Sequence, residues 1–183
     1  MGKDIVHFKC HSCGHCCTDV VCLPTPWDVI RIVRGTGLKP LDFLEFITPD
    51  QISGVYKTDP TWLECGGQHY MMALQRGPKG CHFLDKKTKL CSIYEHRPIL
   101  CRLYPLRVQE TKDGEFKGFT LHTNVGCPKN RDAVILVEPM RQLYVDDSEH
   151  HEDYRELVRV FNARRDKHKR PEDFIQMFVT EGR

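Results

Sequence analysis

Apolar and polar positions keep a clear rhythm in only part of this chain. Val29, Ile30, Ile32 and Val33 recur at helical spacing behind Thr25-Pro26-Trp27-Asp28, which has the marks of a helix start: a hydroxyl at the N-cap, proline at the first position, an acid in the first turn. Gly35 and Gly37 stop that helix. Lys39-Pro40-Leu41-Asp42 predicts a second short helix through Phe46 and Ile47, ending before Pro49, so that the two make a helical hairpin. Gln51 to Cys65 is irregular, with one short extended piece around Val55–Lys57. Gln68 to Gln75 reads as a strand closed by Gly77-Pro78, and Cys81–Leu84 and Leu90–Ile93 as arms of a hairpin turning at Asp85-Lys86-Lys87-Thr88. Pro98 opens a short helical turn that Pro105 ends. Leu106–Glu110 and Phe116–His122 flank Asp113-Gly114, the strongest short hairpin signal. From Pro139 to Lys169 the charged sequence carries Leu143, Tyr144, Tyr154, Leu157, Val158 and Phe161 as the stripe of one or two amphipathic helices. Arg170-Pro171-Glu172-Asp173 starts a final helix with Phe174, Ile175, Met177 and Phe178.

These elements predict an α+β fold: a small cysteine-rich domain with short antiparallel hairpins and flanking helices over residues 1–130, and a helical C-terminal extension packed on it over 131–183. At 183 residues and 40% hydrophobic, the core is modest, so inorganic crosslinks would matter to stability. A net charge of +2 argues against a dedicated nucleic-acid binder, and the basic run from Arg164 to Arg170 reads as a solvated helix end. No run is apolar and long enough to span a bilayer, and Met1 to Phe8 lacks the apolar core of a signal peptide. A cytoplasmic location is therefore expected, where clustered thiols favour metal over disulfides. A protein partner for the C-terminal helices fits the charged surface and late apolar residues.

The chemistry lies in the ten cysteines. Cys10, Cys13 and Cys16 are spaced three apart, so a short loop can wrap them round one centre, with Gly14 free to take positive φ. Cys17 adjoins Cys16; neighbouring side chains diverge, so the two are expected to serve different metal atoms. Cys81, Cys91, Cys101 and Cys127 bring the count to eight thiols, enough for two four-thiolate sites or one larger centre. Cys22 and Cys65 remain as buried apolar thiols. Zinc sites commonly pair two Cys-x2-Cys knuckles, and a partner knuckle is missing here. Cys-x2-Cys-x2-Cys with a later Cys-Pro leans toward an iron–sulfur cluster, [4Fe–4S] rather than Zn, although the ferredoxin interval is absent. Thiolates around such a core leave negative charge, which Arg97 and Arg102 are placed to offset near Cys101. His11, His15, His82 and His96 lie among the cysteines as bystanders or hydrogen-bond donors when eight thiols compete with them.

Three spaced elements carry a resemblance: Phe8-Lys9-Cys10-x2-Cys13-Gly14-x-Cys16-Cys17, then Gly80-Cys81-x-Phe83-Leu84, then Cys91-x-Ile93-Tyr94-Glu95-x-Arg97-Pro98-x2-Cys101-Arg102-x-Tyr104-Pro105. Over Phe8 to Pro128 the chain resembles the YkgJ-type cysteine-cluster family, zinc- or iron-chelating domains named for the CxxCxxCC motif. The resemblance implies metal or iron–sulfur binding, with Cys127-Pro128 as the closing Cys-Pro. A similar cluster in flagellin lysine N-methylases implies a link to protein modification. No methyl-transfer site carries over, because no glycine-rich nucleotide loop follows a strand here; Gly35-x-Gly37 follows a helix.

Three functions stand at this point. One is a metal-centre protein working in binding, electron transfer or assembly of a partner, with a redox or protein-modification role. Another is an enzyme using the centre, with Glu95, His96 and Tyr104 as the titratable groups nearest Cys101. The last is a structural zinc domain that mediates protein–protein contact.

Overall fold

The structure is a computed structural model that describes residues 5–10, 13–122, 126, 133–166 and 168–179. It is a mixed α+β fold of short antiparallel strand pairs and helices. The helix α2, Pro26–Thr36, starts as its sequence predicts. Thr25 caps it with a reciprocal box to Asp28, and Gly37 ends it at φ 72°. The second predicted helix is shorter than expected: α3 is a single turn, Pro40–Phe43, and the chain extends from Leu44 into strand β2, Leu44–Ile47. The reason is tertiary. Antiparallel pairing of β2 with Met71–Leu74 gives the central strand a second neighbour, which a longer helix would leave open.

That central strand, β4 (Gln68–Leu74), is flanked on its other side by β3, Leu63–Cys65. The turn between β3 and β4 is Gly66-Gly67, both at positive φ. The predicted extended piece at Val55–Lys57 is not a strand; the strand lies later, at Leu63–Cys65. Alternate residues of β4 serve opposite faces, which explains its continuous apolar run. Met72 and Leu74 join Val29, Ile32, Phe43, Leu63, Phe83, Tyr154, Val158, Phe161 and Phe174 in the main core. Met71 and Ala73 join Ile47 and Trp62 on the other side.

The predicted hairpin at 81–93 is mostly turns. Strand β5, Arg76–Gly77, pairs with β6, Gly80–Cys81, and beyond them the arms meet at one bridge, Leu84 to Cys91. Helix α4, Ile99–Leu103, sits between Pro98 and Pro105 as read from sequence. Strands β7 (Leu106–Glu110) and β8 (Phe116–Leu121) form the Asp-Gly hairpin. A pairing with no sequence signal joins β1, Ile5–His7, to β9, Val134–Leu136. The late amphipathic stretch is one helix, α5, Val137–Asn162, and the final helix is of the 3₁₀ type, Pro171–Met177. Met140, Leu143 and Tyr144 of α5 cover a core of Ile99, Leu103, Leu106 and Phe119, while Tyr154, Val158 and Phe161 enter the main core. Among the described residues no helix is long and apolar enough to cross a membrane.

Candidate metal centre

The CxxCxxCC stretch becomes a single helical turn, α1, His15–Thr18. Gly14 precedes it at φ 73°, where a Cβ would stand 3.4 Å from both Leu84 and the Lys89 carbonyl oxygen, so the turn leans on the loop that carries Cys91. A side chain cannot take that backbone cheaply. On the other flank Gly80 at φ 115° lies so close that a Cβ would stand 2.6 Å from the Cys17 carbonyl oxygen. This close approach seats Cys81 beside α1.

Arg76 holds the far end of the same turn. Its guanidinium donates to the carbonyls of Cys17 at 3.2 Å, of Val20 at 2.5 Å and of Thr18. A helix C-terminus leaves carbonyls unpaired, and a cation there satisfies them and opposes the helix dipole.

The Cys91 loop is held by Asp85. Its Oδ1 accepts from the backbone N–H groups of Lys87 at 2.9 Å and Thr88 at 2.6 Å. The Thr88 hydroxyl donates to the same oxygen at 2.8 Å. These bonds, led by the Thr88 N–H, lower the Asp85 pKa. Cys101 is held by Asp28, a carboxylate with no solvent exposure. Asp28 accepts from the Thr25 N–H at 3.0 Å, the Thr25 hydroxyl at 3.1 Å, Arg31 at 2.5 Å and the Ile99 N–H at 3.1 Å. Arg31 also donates to the Arg97 carbonyl at 2.7 Å. A buried charge so fully paired fixes the start of α4 against α2, and with it Cys101.

These supports bring thiols from distant parts of the chain to one place. Cys10, Cys16, Cys17, Cys81, Cys91 and Cys101 line a small cavity of about 60 Å³, walled by Leu74, Phe83 and Ile93. Cys16 and Cys17 do not diverge as adjacency suggested: in the tight turn their sulfurs are 3.9 Å apart. Cys13 is exposed and does not line this cavity. His11 and Cys127 lie outside the described residues. Among the described residues no three Cys, His, Asp or Glu side chains are grouped closely enough to hold a single ion. Cys16, Cys17, Cys22, Cys65, Cys81, Cys91 and Cys101 are not in disulfides.

The thiols feel one another electrostatically. A hydrogen bond between the Cys16 and Cys17 thiols, helped by the Arg97 guanidinium, brings the Cys16 pKa down to about 6. Cys17 is pushed up by that bond, by burial and by charge at Cys16, Cys81 and Cys91. Burial, together with charge at Cys101 and Cys91, lifts Cys81 to about 11, against the pull of the Phe83 N–H and Arg76. Cys91 is raised by burial first and then by charge at Cys101 and Cys16. A cation placed in the cavity would reverse the upward shifts at Cys17, Cys81 and Cys91 and draw Cys16 down further, since it favours every thiolate at once.

Of the two arginines read as charge compensation, Arg97 lines the cavity and lies 3.7 Å over the Tyr94 ring. Arg102 is exposed in the last turn of α4 and does not line it. Arg97 lies before α4, whereas Arg102 is carried by the helix itself. The histidines are engaged elsewhere. His15 donates through Nδ1 to Asp19 at 2.9 Å and accepts at Nε2 from the Gly126 N–H at 2.8 Å. His96 packs on Gly35, and His82 is exposed with its ring edge-on to Phe83. Glu95 is exposed, and Tyr104 stacks on His122 with ring centres 6.3 Å apart.

Cys22, read as a buried apolar thiol, packs against the main core, and its sulfur is 3.4 Å from that of Cys101. Arg76 and Asp28 were missed as supports, because both act through backbone groups remote in sequence. Cys65 is 6% exposed within the main core, as expected for an apolar thiol. A second, larger cavity of about 880 Å³ touches Cys16, Cys22 and Cys101 and is otherwise walled by residues such as Leu103, Tyr104 and Val108.

Comparison with known proteins adds three findings. A family model described as "CxxCxxCC: Putative zinc- or iron-chelating domain" matches residues 9–128. The uncharacterized protein MJ0661 of Methanocaldococcus jannaschii is 66% identical over 29 residues, 16% of this chain and 16% of that protein, so the match spans about a sixth of this relative's length. No solved structure matches the chain.

Proposed function

The chain belongs to the CxxCxxCC family of zinc- or iron-chelating domains, and from that premise we propose that it is a metalloprotein whose converging thiolates hold an iron–sulfur cluster. The observation that carries this reading is the set of six cysteines, from positions 10 to 101, lining one small cavity. The donor set fits the group. Thiolate sulfur is the preferred ligand of iron–sulfur cores, whose corners lie farther apart than the ligands of one ion. Among the described residues the thiols line the cavity without three meeting at single-ion distance, a spread that suits such a core. When bound, a cluster of this kind supplies one-electron chemistry at a potential set by the hydrogen bonds and charges around its sulfurs.

The chain's own residues supply that environment. Arg97 brings positive charge to the cavity wall, while Leu74, Phe83 and Ile93 exclude water. Arg76, Asp85 and Asp28 keep the thiol-bearing segments in place. The larger cavity beside Cys16 and Cys101 leaves one side of the centre open to a substrate or redox partner.

A second reading, zinc, is favoured by the 3.9 Å separation of the Cys16 and Cys17 sulfurs. Two thiolates bonded at about 2.3 Å to one tetrahedral ion stand about 3.8 Å apart. Anaerobic purification with analysis of iron, sulfide and zinc separates the two. Stoichiometric iron and sulfide, with visible absorption that bleaches on dithionite, is the expected result. Stoichiometric zinc in a colourless protein selects the second reading, and absence of both metals after anaerobic reconstitution overturns the proposal.

A further inference from the structure

We infer that Cys22 is a ligand of the metal centre, although it stands outside the CxxCxxCC motif. The inference rests on the metal-thiolate reading above and extends it to a residue that neither motif nor spacing singles out. Its first support is distance. The Cys22 and Cys101 sulfurs are 3.4 Å apart, so one metal atom can bond both at about 2.3 Å with a sulfur–metal–sulfur angle of roughly 95°.

Its second support is placement. Leu74 of β4 donates its N–H to the Cys22 carbonyl at 2.9 Å, which fixes the Cys22 backbone to the sheet. Asp28 fixes Cys101 to α2 through the Ile99 N–H. Each sulfur is thus presented by its own rigid support, as a preorganised ligand pair requires. Both sulfurs also border the larger cavity, so the pair would place a metal atom where a ligand entering that cavity can approach it.

Cys65 is the natural control. It is an equally apolar thiol in the main core, with Lys169, Asp173 and Glu172 as its charged surroundings and no cysteine among them. The test compares the wild-type chain with Cys22→Ala, Cys22→Val and Cys65→Val, each loaded anaerobically with iron and sulfide and separately with zinc. The readouts are metal bound per chain and the metal–sulfur coordination number from X-ray absorption, with circular dichroism to verify folding. Cys22→Val keeps the apolar volume and removes the donor, so it separates packing from ligation. Both Cys22 variants are expected to lose metal several-fold or to show one fewer sulfur neighbour, while Cys65→Val matches wild type.

Wild-type metal content and coordination in a folded Cys22→Val overturns the assignment and leaves the metal-thiolate reading standing. A wild-type chain that takes up neither metal overturns both. If both Cys22 variants fail to fold without metal, chelation of the wild type decides the matter: an unchanged fold after chelation would assign Cys22 to packing and sink the inference. Loss of the same structure on chelation supports it.

Discussion

The hydrogen bond between the Cys16 and Cys17 thiols lowers the pKa of Cys16 and raises that of Cys17. Cys16 is drawn from 9.0 to about 6, so its ionisation stabilises the fold fully above pH 9 and the contribution is lost as pH falls toward 6. In the metal-free chain iodoacetamide should label Cys16 well before Cys17 at neutral pH, with a midpoint near pH 6. Arg97→Ala should move that midpoint upward; equal labelling of both thiols across the range would contradict the arrangement. Asp147 shows the opposite sign. It is 9% exposed, its Oδ1 lacks a partner among the described residues, and burial and Asp28 raise its pKa against the pull of His151. Its ionised form therefore costs stability at neutral pH, and the cost disappears as pH falls below 3.8, the ordinary value. Asp147→Asn should raise the melting temperature at pH 7 and leave it unchanged near pH 3. At this scale the candidate site was partly legible: the spacing of Cys10, Cys16 and Cys17 shows in the sequence. Pairings such as Cys22 with Cys101 do not, since nothing local marks them.

Short elements hold the thiols, so single supports carry large effects. Asp28 accepts four hydrogen bonds, three of them buried, and the one from the Ile99 N–H joins α2 to α4; Asp28→Ala should cost about 3–5 kcal/mol in urea unfolding, with metal retention falling in parallel. Gly80→Ala meets the Cys17 carbonyl and a strained φ together. It should cost about 1–3 kcal/mol and release metal, whereas Gly37→Ala, with open space around it, should do the first without the second. Capping and turn chemistry made α2, α4 and the β7–β8 hairpin readable from Thr25, Pro98 and Asp113-Gly114. Leu44–Ile47 was not readable, because strand pairing to β4 overrides a helix-compatible sequence. The pairing of β1 with β9 spans most of the chain and leaves no local trace.

At the scale of the whole molecule, α5 packs on both the α4–β7–β8 core and the main core, while the thiol cavity sits among short, loop-borne segments. Chelation should therefore loosen the molecule unevenly. Hydrogen exchange is expected to rise at α1 and the Leu84–Cys91 loop while β4 and the Val158–Phe161 stretch stay protected. Uniform exchange throughout would mean that the centre and the main core unfold as one unit. The separation of 79 residues between Cys22 and Cys101 also bears on biosynthesis. A growing chain that has emerged only as far as α2 offers its first thiols without their counterparts, so the ribosome must deliver the Cys81–Cys101 segment before the centre can be completed. On the proposed reading, metal insertion then follows translation past α4 rather than the appearance of the N-terminal motif.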